Sequence, residues 1–327
     1  VDQFLMQGGT VIAATSPFKA NLTGDSLSVV NVQSGIEDWL AHQGITLEKQ
    51  LVMDPQNAAF PVPVSRNIGG FSVQDWRMLD YPYFPDIRGD GLNADNPVTA
   101  DLPQLTLAWS SPITLKADDA QERNYTTLLQ SSAQTWLSES TDVMPAINPD
   151  GTSGFAPEGN QAAQTLAVAA SGRFTSYFAG KESPLLASAP TETPADTDAA
   201  TPPAATSVVS SVIEKSAESA RLVVIASNDF LNDQIMQLLG TAQNGEYPNG
   251  MQFVANSVDW ALEDQGLLAI RSRGNFNRTL PPLEQGEQMV WEYLNYILAA
   301  VALGIVAFVQ RQRQRARHSR FAEFIAE

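Results

Sequence analysis

Residues 220–227, ARLVVIAS, decide the fold class. Leu222, Val223, Val224, Ile225 and Ala226 follow one another with no polar residue between them, and three of the five are β-branched. Such a run is short for a helix, and it lacks the alternation of a half-exposed strand. It reads as a strand covered on both faces, the pattern of a parallel sheet lined by helices. Asn228-Asp229 ends it, and apolar spacing over 233–239 predicts a helix next.

The same grammar recurs along the chain. TVIAA (10–14) is a second buried strand, bounded by Gly8-Gly9 and Ser16-Pro17. VDQFLMQGG before it reads as the last turns of a helix, with Val1, Phe4 and Leu5 on one face and Gly8 in the left-handed closing position. Ser34 stands as N-cap to a helix carrying Ile36, Trp39 and Leu40, closed by Gly44. A strand over 45–53 then leads into Asp54-Pro55. From Ala58 to Pro112 seven prolines exclude a long helix and leave short extended pieces. TTLLQSSAQTWL (126–137) suits strand or helix, and residues 165–170 a strand. Phe253, Val254, Val258 and Leu262 fall at helical spacing, and Leu267 to Arg271 reads as a short strand. Together these units predict an α/β fold with a parallel sheet.

Residues 289–309, MVWEYLNYILAAVALGIVAFV, carry one charge, Glu292. As a helix this run would reach about 31 Å, the thickness of a bilayer's hydrocarbon core. Trp291, Tyr293 and Tyr296 gather at one end, where amphipathic rings prefer the headgroup level, and Gly304 adds to a small-residue face. Arg311, Arg313 and Arg315 follow, with Arg317 and Arg320 beyond, and mark a cytoplasmic side. The expected organisation is an α/β extracytoplasmic domain over 1–181, a flexible Pro/Ala/Thr-rich loop over 182–207, and the rest of the domain over 208–288. A transmembrane helix over 289–309 and a cytoplasmic basic tail over 310–327 complete it. An exported body with no leader in its first residues implies that the chain is the C-terminal part of a longer protein.

Composition removes several classes of function. A net charge of −17 over 327 residues repels phosphate backbones, so nucleic acid is not an expected partner. With no cysteine there is no thiol nucleophile, disulfide or Cys-based zinc site. The only histidines are His42 and His318. His42 suits the C-terminal end of its helix, where a partly positive imidazole meets the dipole. No GxxxxGK[ST] run is present, and Gly8-Gly9 precedes a strand, so neither forms a phosphate cradle.

Asp54 and Asp229 each follow a predicted strand, at the edge where open α/β sheets hold ligands. With Asp80 and Tyr81 nearby they form the candidate ligand cleft, either an acid/base pair or a divalent-cation site. Against this, Asp54 before Pro55 suits a turn and Asp229 suits a helix cap, and no His or third carboxylate falls at ligand spacing. The sequence therefore assigns no catalytic residue, cofactor or metal.

Taken in order, the stretches FLMQGGTVIAATSP, GIEDWLAHQGITLEKQLVMDPQ and LDYPYFPDIRGDGLNADNPVTADLPQLTLAWSSPI are similar to the gliding-motility auxiliary component family (GldG-like) of ABC-type transport systems. The resemblance continues through LLQSSAQTWL, AASGRFTSYFAG, SARLVVIASNDF and QFVANSVDWALEDQGLLAIRSR. It implies an extracytoplasmic domain like a non-catalytic class I glutamine amidotransferase fold, with ABC permease and ATPase subunits and the lipid bilayer as partners. The expected function is a non-enzymatic auxiliary subunit, periplasmic and held in the bacterial inner membrane, acting as scaffold or in substrate handover. Two other readings stay open. One is an envelope glycan-binding module using Trp76, Tyr81, Tyr83 or Phe84; the other is a hydrolase built on Asp54 and Asp229.

Overall fold

The computed structural model describes residues 1–23, 26–68, 71–116, 123–148, 152–181, 212–242, 249–262, 293–304, 308 and 311. The chain divides into two units, Val1–Asn277 and Arg278–Glu327. The expected loop over 182–207 lies wholly outside the described residues, and so do the strand over 267–271 and residues Trp291, Arg313 and Arg315.

In the first unit, β1 (Thr10–Ala14) is reached from α1 (Asp2–Met6) through Gly8, whose φ of 89° closes the helix as its position implies. A hairpin follows, β2 (Phe18–Thr23) with β3 (Ser26–Asn31), and then α2 (Glu37–His42). The expected single strand over 45–53 is two short ones, β4 (Ile45–Leu47) and β5 (Leu51–Met53), with different partners. β6 (Asn57–Ile68) and β7 (Phe71–Arg88) form one long antiparallel ribbon. Prolines excluded helix from this region, as expected, but they did not fragment it. Short strands β8 (Gln104–Thr106) and β9 (Ile113–Leu115) come next, then β10 (Arg123–Gln130), β11 (Trp136–Ser138), β12 (Thr165–Gly172) and β13 (Arg221–Ile225). The last elements of the unit are α3 (Asp233–Ala242) and α4 (Asn249–Leu262).

The main sheet has the order β1-β13-β12-β10. Only β1 and β13 run parallel, from Thr10↔Arg221 to Ala14↔Ile225; β12 is antiparallel to β13 and to β10. The remaining pairs, β2–β3, β4–β9, β5–β11, β6–β7 and β7–β8, are all antiparallel. The expectation of a parallel sheet is therefore wrong: the fold is α/β with mixed, mostly antiparallel sheets. The physical reason is that an all-apolar strand reports cover on both faces and says nothing about the direction of its neighbours. Val223 and Ile225 face one core, with Leu166, Phe230, Phe253 and Trp260; Leu222 and Val224 face another, with Leu5, Met6, Trp39, Leu40 and Phe174. α4 thus supplies one layer, and α1 and α2 the other.

The transmembrane expectation also requires correction. In the second unit, 293–304 is helical. Residues 308 and 311 are helical too, and the rest of 289–309 lies outside the described residues. Among the described residues no helix is long and apolar enough to cross a membrane.

Two local readings change as well. Ile36, not Ser34, precedes the first helical residue of α2; Glu37 turns back so that the Ser34 N–H and Oγ donate to its Oε1 at 3.0 and 2.8 Å. On α1, Val1 and Phe4 are exposed while Asp2, Leu5 and Met6 are buried. Asp2 ties the start of the unit to α2 and to the segment after β12. Its Oδ1 accepts from Trp39 Nε1 at 3.0 Å and from the Tyr177 N–H at 3.0 Å, and its Oδ2 from Ser176 Oγ at 2.6 Å and Gln3 Nε2 at 3.1 Å.

Burial raises the Asp2 pKa, but the bonds from Ser176, the Tyr177 N–H, Trp39 and Gln3 outweigh it and hold the carboxyl below its ordinary value. A carboxyl depressed in the folded state adds stability above its unfolded pKa of about 3.9, and that contribution disappears as pH falls through the folded value. Asp2→Asn is expected to flatten the acid limb of the urea-midpoint profile between about pH 2 and 6. An unchanged limb would show that Asp2 carries no such linkage.

Candidate functional site

The carboxyl ends of β1 and β13 meet at a buried polar cluster. Each strand leaves the sheet through small polar residues, Thr15-Ser16 after β1 and Ser227-Asn228-Asp229 after β13, and the segment Ala108–Ser111 lies against both. Asn228 Nδ2 donates to the carbonyls of Ser16 at 2.8 Å and Phe18 at 2.6 Å, and its Oδ1 accepts from the Ser16 N–H at 3.3 Å. Ser227 Oγ donates to the Ala108 carbonyl at 2.6 Å. Ser16 Oγ and Ser111 Oγ are 3.0 Å apart, and the Ser111 N–H meets the Ala226 carbonyl at 2.9 Å. Ser110 Oγ is buried with no hydrogen-bond partner in the structure.

Trp109 sits in the middle of this junction with a φ of 46°, left-handed backbone that a bulky residue rarely adopts. Tertiary contacts hold it there. Its N–H donates to the Tyr83 carbonyl at 2.9 Å, its indole N–H to Tyr81 Oη at 3.2 Å, and its ring lies edge-on to Phe84 with centroids 4.9 Å apart. Tyr81 passes the chain of bonds on, donating to the Val143 carbonyl at 2.6 Å. Burial pushes the Tyr81 phenol well above its ordinary pKa, so it stays a neutral donor.

Asp229 is at this junction, as the sequence implied. Its Oδ2 accepts from the Ala20 N–H at 2.9 Å, and its own N–H donates to Ser227 Oγ at 3.2 Å. Burial raises its pKa, opposed by the Ala20 bond and by the charge of Lys19. Asp54 is elsewhere in the bonding pattern. Its Oδ1 accepts from the Gln56 N–H at 2.8 Å and Ser132 Oγ at 2.7 Å, its Oδ2 from the Ser132 N–H at 2.7 Å and Thr135 Oγ1 at 2.9 Å. Four donors on two oxygens leave this carboxylate little capacity for a ligand.

The hydrogen bonds of Asp54 and Asp229 therefore share no partner, and the two do not form an acid/base pair through them. The carboxylate felt electrostatically with Asp54 is Asp86, whose pKa is raised by burial and by Asp54 and lowered by Arg88. Arg88 Nε and Nη2 both lie 2.8 Å from Asp86 Oδ2, and Thr106 Oγ1 is 3.2 Å from its Oδ1. Asp80 is exposed on β7 while Tyr81 beside it is fully buried. Among the described residues no three His, Cys, Asp or Glu side chains gather as a cation site.

The aromatic residues named for a glycan cleft separate in the same way. Tyr81, Tyr83 and Phe84 are buried in one core with Phe60, Trp109 and Trp136. Trp76 alone of that set is exposed. His42 ends α2 with its Nε2 3.2 Å from the Thr175 carbonyl and its ring edge-on to Tyr177, a structural placement. Trp260 is buried beneath the Arg221 guanidinium, 5.0 Å from its ring centre. Of the residues not anticipated, Ser16, Ser227 and Asn228 share one signal, a Ser or Asn within three residues of the end of an apolar strand, as in VIAATSP and VVIASND; Ser111, in LAWSSPI, has no such signal.

Two substitutions separate structural from chemical roles. Asp54→Ala strands four donors, Thr135 Oγ1 buried and the other three part-buried, and is expected to lower unfolding free energy by about 3 kcal/mol in a urea titration. Asp229→Asn should behave oppositely. A carboxyl raised in the folded state costs stability as pH rises through that value, whereas an amide oxygen keeps the Ala20 bond. The variant should melt no lower than wild type near pH 7; a clear drop would show that the charge itself is needed.

A family model described as ABC-type uncharacterized transport system matches residues 1–257. Comparison with curated proteins and with solved structures returned no match.

Proposed function

We propose a function from one premise: this chain belongs to the ABC-type uncharacterized transport system family, whose members are auxiliary components of such systems. The match over residues 1–257 takes in every described element up to most of α4 and is the observation that carries the reading. Within that family, the ordered stretches quoted above favour kinship with the gliding-motility auxiliary components.

The role is that of a non-enzymatic scaffold or handover subunit that presents a surface to the other components. The side chains at the sheet edge support this, because they are spent on internal bonds: Asn228 and Ser227 fasten loops, and Asp54 holds the turn before β11. An ATPase subunit would supply the energy and a permease subunit the path. The acidic first unit works on the extracytoplasmic side, as the family resemblance implies.

Affinity purification of the full chain from membranes is expected to recover an ATPase and a polytopic permease. Their consistent absence would remove the reading. Asp54→Asn and Asp229→Asn should leave transport by the assembled system intact, whereas loss of transport with normal assembly would favour carboxylate chemistry. Protease added to intact spheroplasts is expected to cut the first unit; full protection would place it on the other side.

A further inference from the structure

The β6–β7 ribbon carries an apolar face that the protein's own core does not use. Side chains alternate along a strand, so cross-strand partners share a face. Phe60↔Leu79 and Val62↔Arg77 belong to one face, and Phe60 and Val62 pack there with Ile235, Leu238 and Leu239 of α3. Pro61↔Met78 and Pro63↔Trp76 belong to the other. On that second face Trp76 is 65% and Met78 43% exposed, and Pro63 is exposed beside them, while Pro61 is buried. Exposed Asp80 and Ser65 stand at its two ends.

We propose that this outer face, centred on Trp76, is where the chain docks on the membrane-spanning subunit of its transport system, and the inference rests on the function proposed above. Three observations choose that occupant. A chain of net charge −17 is repelled by anionic lipid headgroups, whereas the three exposed central residues of the face, Pro63, Trp76 and Met78, are uncharged, which suits an apolar recess in a protein. Three side chains cover much less than the roughly 800 Å² per partner of a stable interface, so the face alone does not sustain a dimer of this chain. It fits a subunit held in an assembly by several contacts, with an exposed Trp as the anchor.

The prolines also set the mode of docking. A proline paired within a ribbon has its nitrogen turned away from the partner strand, so Pro61 and Pro63 deprive the free edge of β6 of two N–H donors. Strand addition along that edge is disfavoured, and recognition passes to the side chains.

The test uses the full chain co-expressed with the other subunits and recovered by an affinity tag. Trp76→Ala and Met78→Ser should each melt like wild type, since both residues are exposed. Trp76→Ala is expected to lower permease recovery at least about tenfold, and Met78→Ser less. Undiminished recovery in the double variant overturns the docking face while leaving the auxiliary function standing. Absence of permease and ATPase with wild type overturns both. Two further results with unchanged permease recovery overturn the choice of occupant. One is Trp76-dependent co-sedimentation with phosphatidylglycerol vesicles; the other is Trp76-dependent self-association in ultracentrifugation.

Discussion

The burial of β13 on both faces and along both edges is the constraint on which the first unit depends. Every residue from Leu222 to Ile225 is fully buried. Backbone N–H and C=O groups in such a place must be paired, so β1 and β12 have to lie on either side. The side chains point alternately into two separate cores, so a layer is needed above and another below. α4 with Phe253 and Trp260 closes one side, and α1 and α2 with Leu5, Trp39 and Leu40 close the other. The polar residues that follow the strand then fix the loops: Ser227 and Asn228 reach Ala108, Ser16 and Phe18, so the position of the sheet edge determines that of Trp109.

What could be read in advance follows from which physical signals are local. β1, β12, β13, α3 and α4 were legible because an apolar run or a helical repeat is a property of neighbouring residues. Strand direction was not, because pairing is decided between residues far apart: β12 lies antiparallel to β13, yet its own sequence, TLAVAASG, is compatible with either orientation. The ribbon was hidden for another reason. Pro61 and Pro63 read as breaks, although at alternate positions of an edge they cost the ladder no bond. The apolar run before the arginines illustrates the reverse hazard, since composition alone described a membrane span, and no helix among the described residues is long and apolar enough to be one.

The carboxylates taught a similar lesson. An aspartate after a strand is as well suited to fastening a loop as to meeting a ligand, and only its partners distinguish the two. Asp54 has four donors around it, Asp229 has one on its carboxylate, and Asp86 has Arg88 and Thr106. The sequence placed Asp54 and Asp229 after strands, but β5 before Asp54 runs antiparallel to β11, so Asp54 is not at the edge of the parallel pair. Asp86, in the run YPYFPDIR, was missed because an acid at the far end of a ribbon resembles a solvent-facing one until Arg88 is seen folding back over it.

The pairing of β1 with β13 carries a consequence in time. Thr10 meets Arg221, a partner made 211 residues later, and among the described residues β1 has no other neighbour in its sheet. At roughly 5–20 residues per second a ribosome needs about 10–40 s to cover that distance. Throughout that interval the TVIAA segment is nascent, apolar and without its native mate. A holdase or a secretion channel meeting the emerging polypeptide encounters this segment before its mate exists, and the pair forms only once β13 has been synthesised.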